Sequence, residues 1–134
     1  TNCCPNYSIG RAMKIDKETI VGITKAVELF AAKDYDKQIA EWEDMVHRIN
    51  ARLATNPHAK VREGVPNEPG IQPADLLRCY VEPLRKSAKQ LHEELVALDP
   101  SVYTGLSGNE LVINPQCLLE EEIPALVEAF ESHL

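Results

Sequence analysis

The spacing of apolar residues switches back and forth between a helical period and a strand period along this chain, and that alternation limits the fold more than any other feature. Ile20, Ile23, Val27 and Phe30 recur three and four apart behind Asp16, a good N-cap, and Lys17-Glu18. They predict a first helix over residues 17–31. Gly22 weakens that helix modestly, and a close packing contact would account for it. Ile39, Trp42, Val46, Ile49 and Leu53 predict a second helix that closes near Asn56-Pro57, because a residue before proline is biased out of the helical region. Trp42 sits on its apolar stripe and reads as core rather than as a ligand platform.

Strand spacing then takes over. Residues 59–63 predict a short strand, and 64–73 a loop rich in Gly and Pro that connects parts of one domain. Residues 76–82 predict another strand, with Leu77, Cys79 and Val81 on one face and Arg78, Tyr80 and Glu82 on the other. Ser87 and Gln90 form a capping box that opens a helix carrying Leu91, Leu95 and Leu98 and ending at Asp99-Pro100. Residues 102–104 and 110–113 predict a hairpin turned at Ser107-Gly108-Asn109. Glu120, Glu121 and Glu122 crowd the start of a last helix, where negative charge suits the helix dipole, and Ile123, Leu126, Val127 and Phe130 form its buried stripe. The expected fold is α/β in its α+β two-layer form: a small, mostly antiparallel sheet with helices packed on one face. The expected organisation is one domain over 1–134, with a core over 17–134.

The chain of 134 residues has room for one real core. Its 44% hydrophobic and 26% charged residues are those of a soluble globular protein. No run approaches the ~20 apolar residues of a membrane span, and no leader of the secretory kind opens the chain. The net charge of −7 disfavours nucleic acid as a partner of this segment. Cys3, Cys4, Cys79 and Cys117 form neither a dense disulfide framework nor a zinc pattern, so a reducing, cytoplasmic setting is expected. The chain starts at Thr1 rather than Met, as a domain taken from a longer protein would.

No self-contained catalytic centre is legible. The chain lacks His-Glu-x-x-His, a Walker loop and Gly-x-Ser-x-Gly. His47, His58, His92 and His133 lie far apart without metal-ligand spacing, so no metal is expected. Asp99 and Glu110 are the carboxylates that an acid–base pair across the hairpin would use; the plainer reading is a helix end and a surface charge beside a turn. Arg11 and Lys14 stand out. They are three residues apart, just before a helix N-terminus and beside Gly10, which lets backbone pass close to a neighbour. Two cations there suit a phosphate or carboxylate, or else pair with Asp16 and Glu18 at the surface.

That stretch, Gly10-Arg11-Ala12-Met13-Lys14-Ile15-Asp16-Lys17-Glu18-Thr19-Ile20-Val21-Gly22, resembles the segment after the cofactor lysine in the selenocysteine synthase family, and most of all its D-glucosaminate-6-phosphate ammonia-lyase relatives. Ser87 to Leu91 resembles the family's helix start. Asp99-Pro-Ser-Val-Tyr103 resembles its Asp-Pro-Pro-Ile-Tyr, and Leu111-Val-Ile-Asn-Pro-Gln-Cys-Leu118 its Leu-Leu-Leu-Asp-Pro-Arg-Thr-Leu. The resemblance implies the small C-terminal domain of an enzyme with the aspartate-aminotransferase type of fold. Residues 1–16 would be the interdomain segment. Such enzymes carry pyridoxal phosphate on a lysine of the large domain, upstream of Thr1, so no catalytic residue is expected here and Lys14 is not the cofactor lysine.

The same resemblance implies that Arg11 and Lys14 contribute to an anion pocket for a small anionic substrate, amino-acid-like or an amino-sugar acid. It implies a lyase or transferase reaction. The partners it implies are the chain's own large domain and a second copy, in a homodimer or higher oligomer. Two departures leave the substrate open: Thr104-Gly105 and Gln116 stand where relatives carry Arg. A non-enzymatic interaction module, built on the near-heptad stripe of the second helix, is the alternative.

Overall fold

The computed structural model describes residues 14–66 and 75–134. Cys3, Cys4, Gly10, Arg11 and most of the predicted 64–73 loop lie outside the described residues. The chain divides into two compact units, Thr1–Tyr35 and Asp36–Leu134.

The first unit contains helix α1, Lys17–Ala31. Asp16 caps it as expected, its Oδ1 accepting from the Thr19 amide at 2.6 Å. That bond to the charged form holds the Asp16 carboxyl below its ordinary range. The helix buries no residue. Ile20, Ile23, Val27 and Phe30 are all more than half exposed, so the stripe that predicted the helix is present and uncovered. Gly22 does not make the expected close contact: a Cβ placed there meets nothing within 4 Å.

The second unit holds the core. Helix α2 spans Tyr35–Leu53, β1 Ala59–Gly64, β2 Arg78–Pro83, α3 Ala88–Val96, β3 Gly105–Ser107, β4 Glu110–Ile113 and α4 Ile123–His133. The four strands form one antiparallel sheet in the order β1-β2-β4-β3. Val61 lies opposite Val81, which lies opposite Leu111. Alternation therefore turns Cys79, Val81, Leu111 and Ile113 to one face. There they meet Val46, Ile49 and Leu53 of α2, Leu91 and Leu95 of α3, and Leu126 and Phe130 of α4. This is the expected α+β two-layer arrangement with helices on one face.

Several local expectations shift. The third strand is Gly105–Ser107, not 102–104. The Val102 amide returns to the Leu95 carbonyl at 3.0 Å, which spends the extended Val-Tyr-Thr run on closing α3 rather than on pairing. Gly108, with φ of 59°, makes a tight turn that sets Ser107 opposite Glu110. Only half of the capping box forms. Ser87 Oγ accepts from the Gln90 amide at 3.2 Å, while the Gln90 side chain donates to Glu94 instead. The acidic run at 120–122 is a 3-10 turn ahead of α4, anchored where Arg48 donates two bonds to the Glu120 carboxylate. Trp42 is half-buried and outside the core cluster, because α2 is covered only from Val46 onward.

Candidate functional site: a pocket around Arg78

Strand β2 is central, with β1 on one side and β4 on the other. Arg78, Tyr80 and Glu82 therefore point to the face turned away from the helices. Arg78 is only 6% exposed all the same. It lies across from Gly64 in β1 and lines a cavity of about 390 Å³ at the end of the sheet. Tyr80, Tyr103, Thr104, Leu106 and Leu118 supply much of the rest of the wall. The size falls within the usual range of small-molecule sites, and the wall is mostly apolar with a few polar groups, as such sites tend to be.

The side chains beside Arg78 are braced from outside. Arg62 stacks on Tyr80, its Cζ 4.0 Å from the ring centroid. Glu110 fixes Arg62 with two bonds, one of 2.7 Å to Nε. That pairing raises the Arg62 pKa further. Thr104 is held by His92 Nδ1 at 3.1 Å. Gly105 admits β3 beside Val112, whose Cβ would lie 3.3 Å from a Cβ at that position. The wall is thus pre-formed by the fold rather than by a ligand.

Among the described residues nothing compensates the charge at Arg78. Arg48 is paired with Asp44 and Glu120, Arg52 with Glu131, and Lys86 with Glu94. Among the described residues Arg78 has no ion-pair partner, and its buried Nε has no hydrogen-bond acceptor. Leaving a buried donor unpaired costs about 1–3 kcal/mol, and more when the group is charged. A protein tolerates that where something else supplies the acceptor.

The residues singled out from sequence fare differently. Lys14 is exposed, two positions before the cap of α1, and Arg11 lies outside the described residues. Asp99 and Glu110 do not form a pair: Asp99 is exposed, and Glu110 holds Arg62. His47 is bound to Glu63 at 3.0 Å rather than simply solvated. Among the described residues no group of three or more His, Cys, Asp or Glu side chains could hold a metal. No described helix is long and apolar enough to cross a membrane. Gln116, where the family pattern carries Arg, is exposed beside the pocket. Arg78 was missed because strand alternation assigned it to an outer face. The available signal was one Arg inside a run, Leu76 to Val81, that is otherwise apolar or aromatic.

Two comparisons give this α+β fold, with its cavity at the end of the sheet, a setting. The solved structure of D-glucosaminate-6-phosphate ammonia-lyase matches with a TM-score of 0.68 and 17% identity, over 95% of this chain and 34% of that one. The match shows the fold, that of the small domain of the lyase. The 5'-C-glycyluridine monooxygenase-decarboxylase of Streptomyces sp is 28% identical over 136 residues, covering 98% of this chain and 34% of that protein. The chain therefore spans about a third of the length of each. No family model matches it.

Proposed function

We propose that residues 1–134 are the small domain of a pyridoxal-phosphate enzyme of the selenocysteine synthase and D-glucosaminate-6-phosphate ammonia-lyase kind, acting on an amino-acid-like anionic substrate. The observation that carries this reading is the fold match over 95% of the chain to one third of an ammonia-lyase. The Gly10 to Gly22 pattern supports it independently. The names of both similar proteins fit as well: one acts on an amino-sugar acid phosphate, the other on a glycyl group attached to a nucleoside.

The exposed stripe of α1 supports a further part of the proposal. Ile20, Ile23, Val27 and Phe30 make an apolar face that an isolated domain would not keep in water. The proposed cover is the large domain of the same protein, with a second copy of the protein completing a homo-oligomer. Meanwhile Val46, Ile49 and Leu53 of α2 are spent on the core of the second unit. That takes away most of the surface on which a partner-helix module would depend.

Pyridoxal phosphate, when bound, supplies the electron sink for breaking a bond at the substrate's amine-bearing carbon. The pocket around Arg78 suits the acidic end of a substrate better than the cofactor, since no lysine is among the described residues that line it. The cofactor's own contacts are assigned to the large domain. This chain's residues would exclude water, hold the substrate's charge and fix its orientation. Arg11 and Lys14 add cations near the start of α1. The test is to add pyridoxal phosphate to residues 1–134 alone and to the full gene product. Cofactor absorbance that survives gel filtration is expected for the full product only. A lysine-linked cofactor in the fragment overturns the reading.

A further inference from the structure

We propose that the wall of the cavity at Tyr103 is a binding site for a planar heteroaromatic ring of pyrimidine size, stacked on the Tyr103 phenol and held by a carbonyl edge. Three observations carry it. Tyr103 lines the cavity and is 76% exposed, the most exposed large hydrophobic residue among those described. Tyr80 has Arg62 over its ring, whereas among the described residues nothing stacks on Tyr103. An aromatic face open to water at a cavity wall is a stacking platform, and every flat base has a face to set on it. Second, Arg78 is the one charged residue among the described ones that line the cavity. A ligand body lying along Tyr103, Leu106 and Leu118 is therefore flat and uncharged.

Third, two polar groups define the ring's edge. Thr104 directly precedes β3 and Asn114 directly follows β4, which puts both at the same end of that antiparallel pair, and both line the cavity. Asn114 Oδ1 accepts from the Gln116 amide at 3.1 Å, so what the side chain has left to offer is its N–H donors. The Thr104 hydroxyl, held by His92, can donate or accept. A ring carbonyl beside a ring N–H satisfies such a pair, whereas a plain hydrocarbon ring would leave both polar groups without partners. The cavity of about 390 Å³ has room for one ring and a short attached body. Naming this ring as part of the enzyme's substrate rests on the reading of the chain as part of a pyridoxal-phosphate enzyme. Binding of the ring does not.

The experiment is a calorimetric titration of the full gene product with uridine, with dihydrouridine and, in a separate arm, with pyridoxine. Dihydrouridine keeps the carbonyl edge and loses the flat aromatic ring. Saturable binding of uridine is expected, roughly 5-fold or more tighter than that of dihydrouridine. Tyr103→Ala should weaken uridine binding roughly 5- to 100-fold, the range for losing one stacked base, and bring the two nucleosides level. Tyr103→Phe, which keeps the ring, should keep the preference. Asn114→Asp, which retains an oxygen for the Gln116 amide and removes the donor, should weaken both nucleosides roughly 3- to 10-fold. A wild-type protein that fails to bind uridine, or binds it no better than dihydrouridine, overturns the proposal whether or not the variants fold. An unchanged affinity in Tyr103→Ala or in Asn114→Asp overturns it too, and so does binding of pyridoxine without uridine. If uridine binds as expected but the full product takes up no cofactor, the site stands and only the identity of its ligand as substrate falls.

Discussion

Glu63 changes the behaviour of His47. The hydrogen bond to the carboxylate, then its charge, raises the imidazole pKa above the ordinary value near 6.5. A raised folded-state pKa stabilises the fold while the ring is protonated. The contribution is fully present below the unfolded pKa and is lost as pH rises through the folded one. NMR titration of His47 should give a midpoint above that of an unpaired histidine, and Glu63→Gln should bring it down. A midpoint unaffected by Glu63→Gln would refute the pairing. Cysteines offer a second contrast. Burial pushes the Cys79 thiol up to about 12, so it stays protonated and inert. Cys117 is exposed. Iodoacetamide should modify Cys117 in the native protein and reach Cys79 only on unfolding, read by peptide mass. Sequence carried the local chemistry at this scale, such as the caps at Asp16 and Ser87, because a cap needs only neighbours in the chain. It did not carry Arg78, whose burial depends on two strands from elsewhere.

Among the elements, α1 and α4 carry similar apolar stripes and meet different fates. Phe130 in α4 is fully buried, while Phe30 in α1 is 67% exposed. Phe130→Ala should destabilise the second unit by about 3–5 kcal/mol, the usual cost of emptying a core site of that size. Phe30→Ala should change it by no more than about 0.5 kcal/mol, as for other surface positions. Urea unfolding followed by far-UV circular dichroism distinguishes the two; equal losses would mean that α1 belongs to the same core. Gly22→Ala should raise the helicity of α1, since a Cβ there has open space and alanine is favoured by about 1 kcal/mol. A drop in helicity would reveal a contact at that position. The periods of three and four predicted all four helices, because periodicity reports which face is apolar. They do not report whether that face is covered. The hairpin strand was misplaced because β-branched propensity at Val102 and Thr104 lost to a tertiary bond, the Val102 amide to Leu95.

At the scale of the whole molecule, the second unit is a four-stranded sheet with helices on one face and a pocket at its end, and the chain spans about a third of the proteins it resembles. The fold was legible in the chain because alternating periods leave few two-layer arrangements. From the sequence the candidate site read as Arg11 and Lys14 ahead of α1, a reading separate from the pocket around Arg78, which comes from sheet order that no local pattern encodes. Under the proposed function the cofactor lysine lies outside this chain. The most direct test is to purify the full gene product with pyridoxal phosphate, reduce it with borohydride, digest it and map the pyridoxyl group by mass spectrometry. The proposed function predicts the label on one lysine upstream of Thr1 and on none within residues 1–134. A label on Lys14, or on any other lysine of this chain, would contradict it.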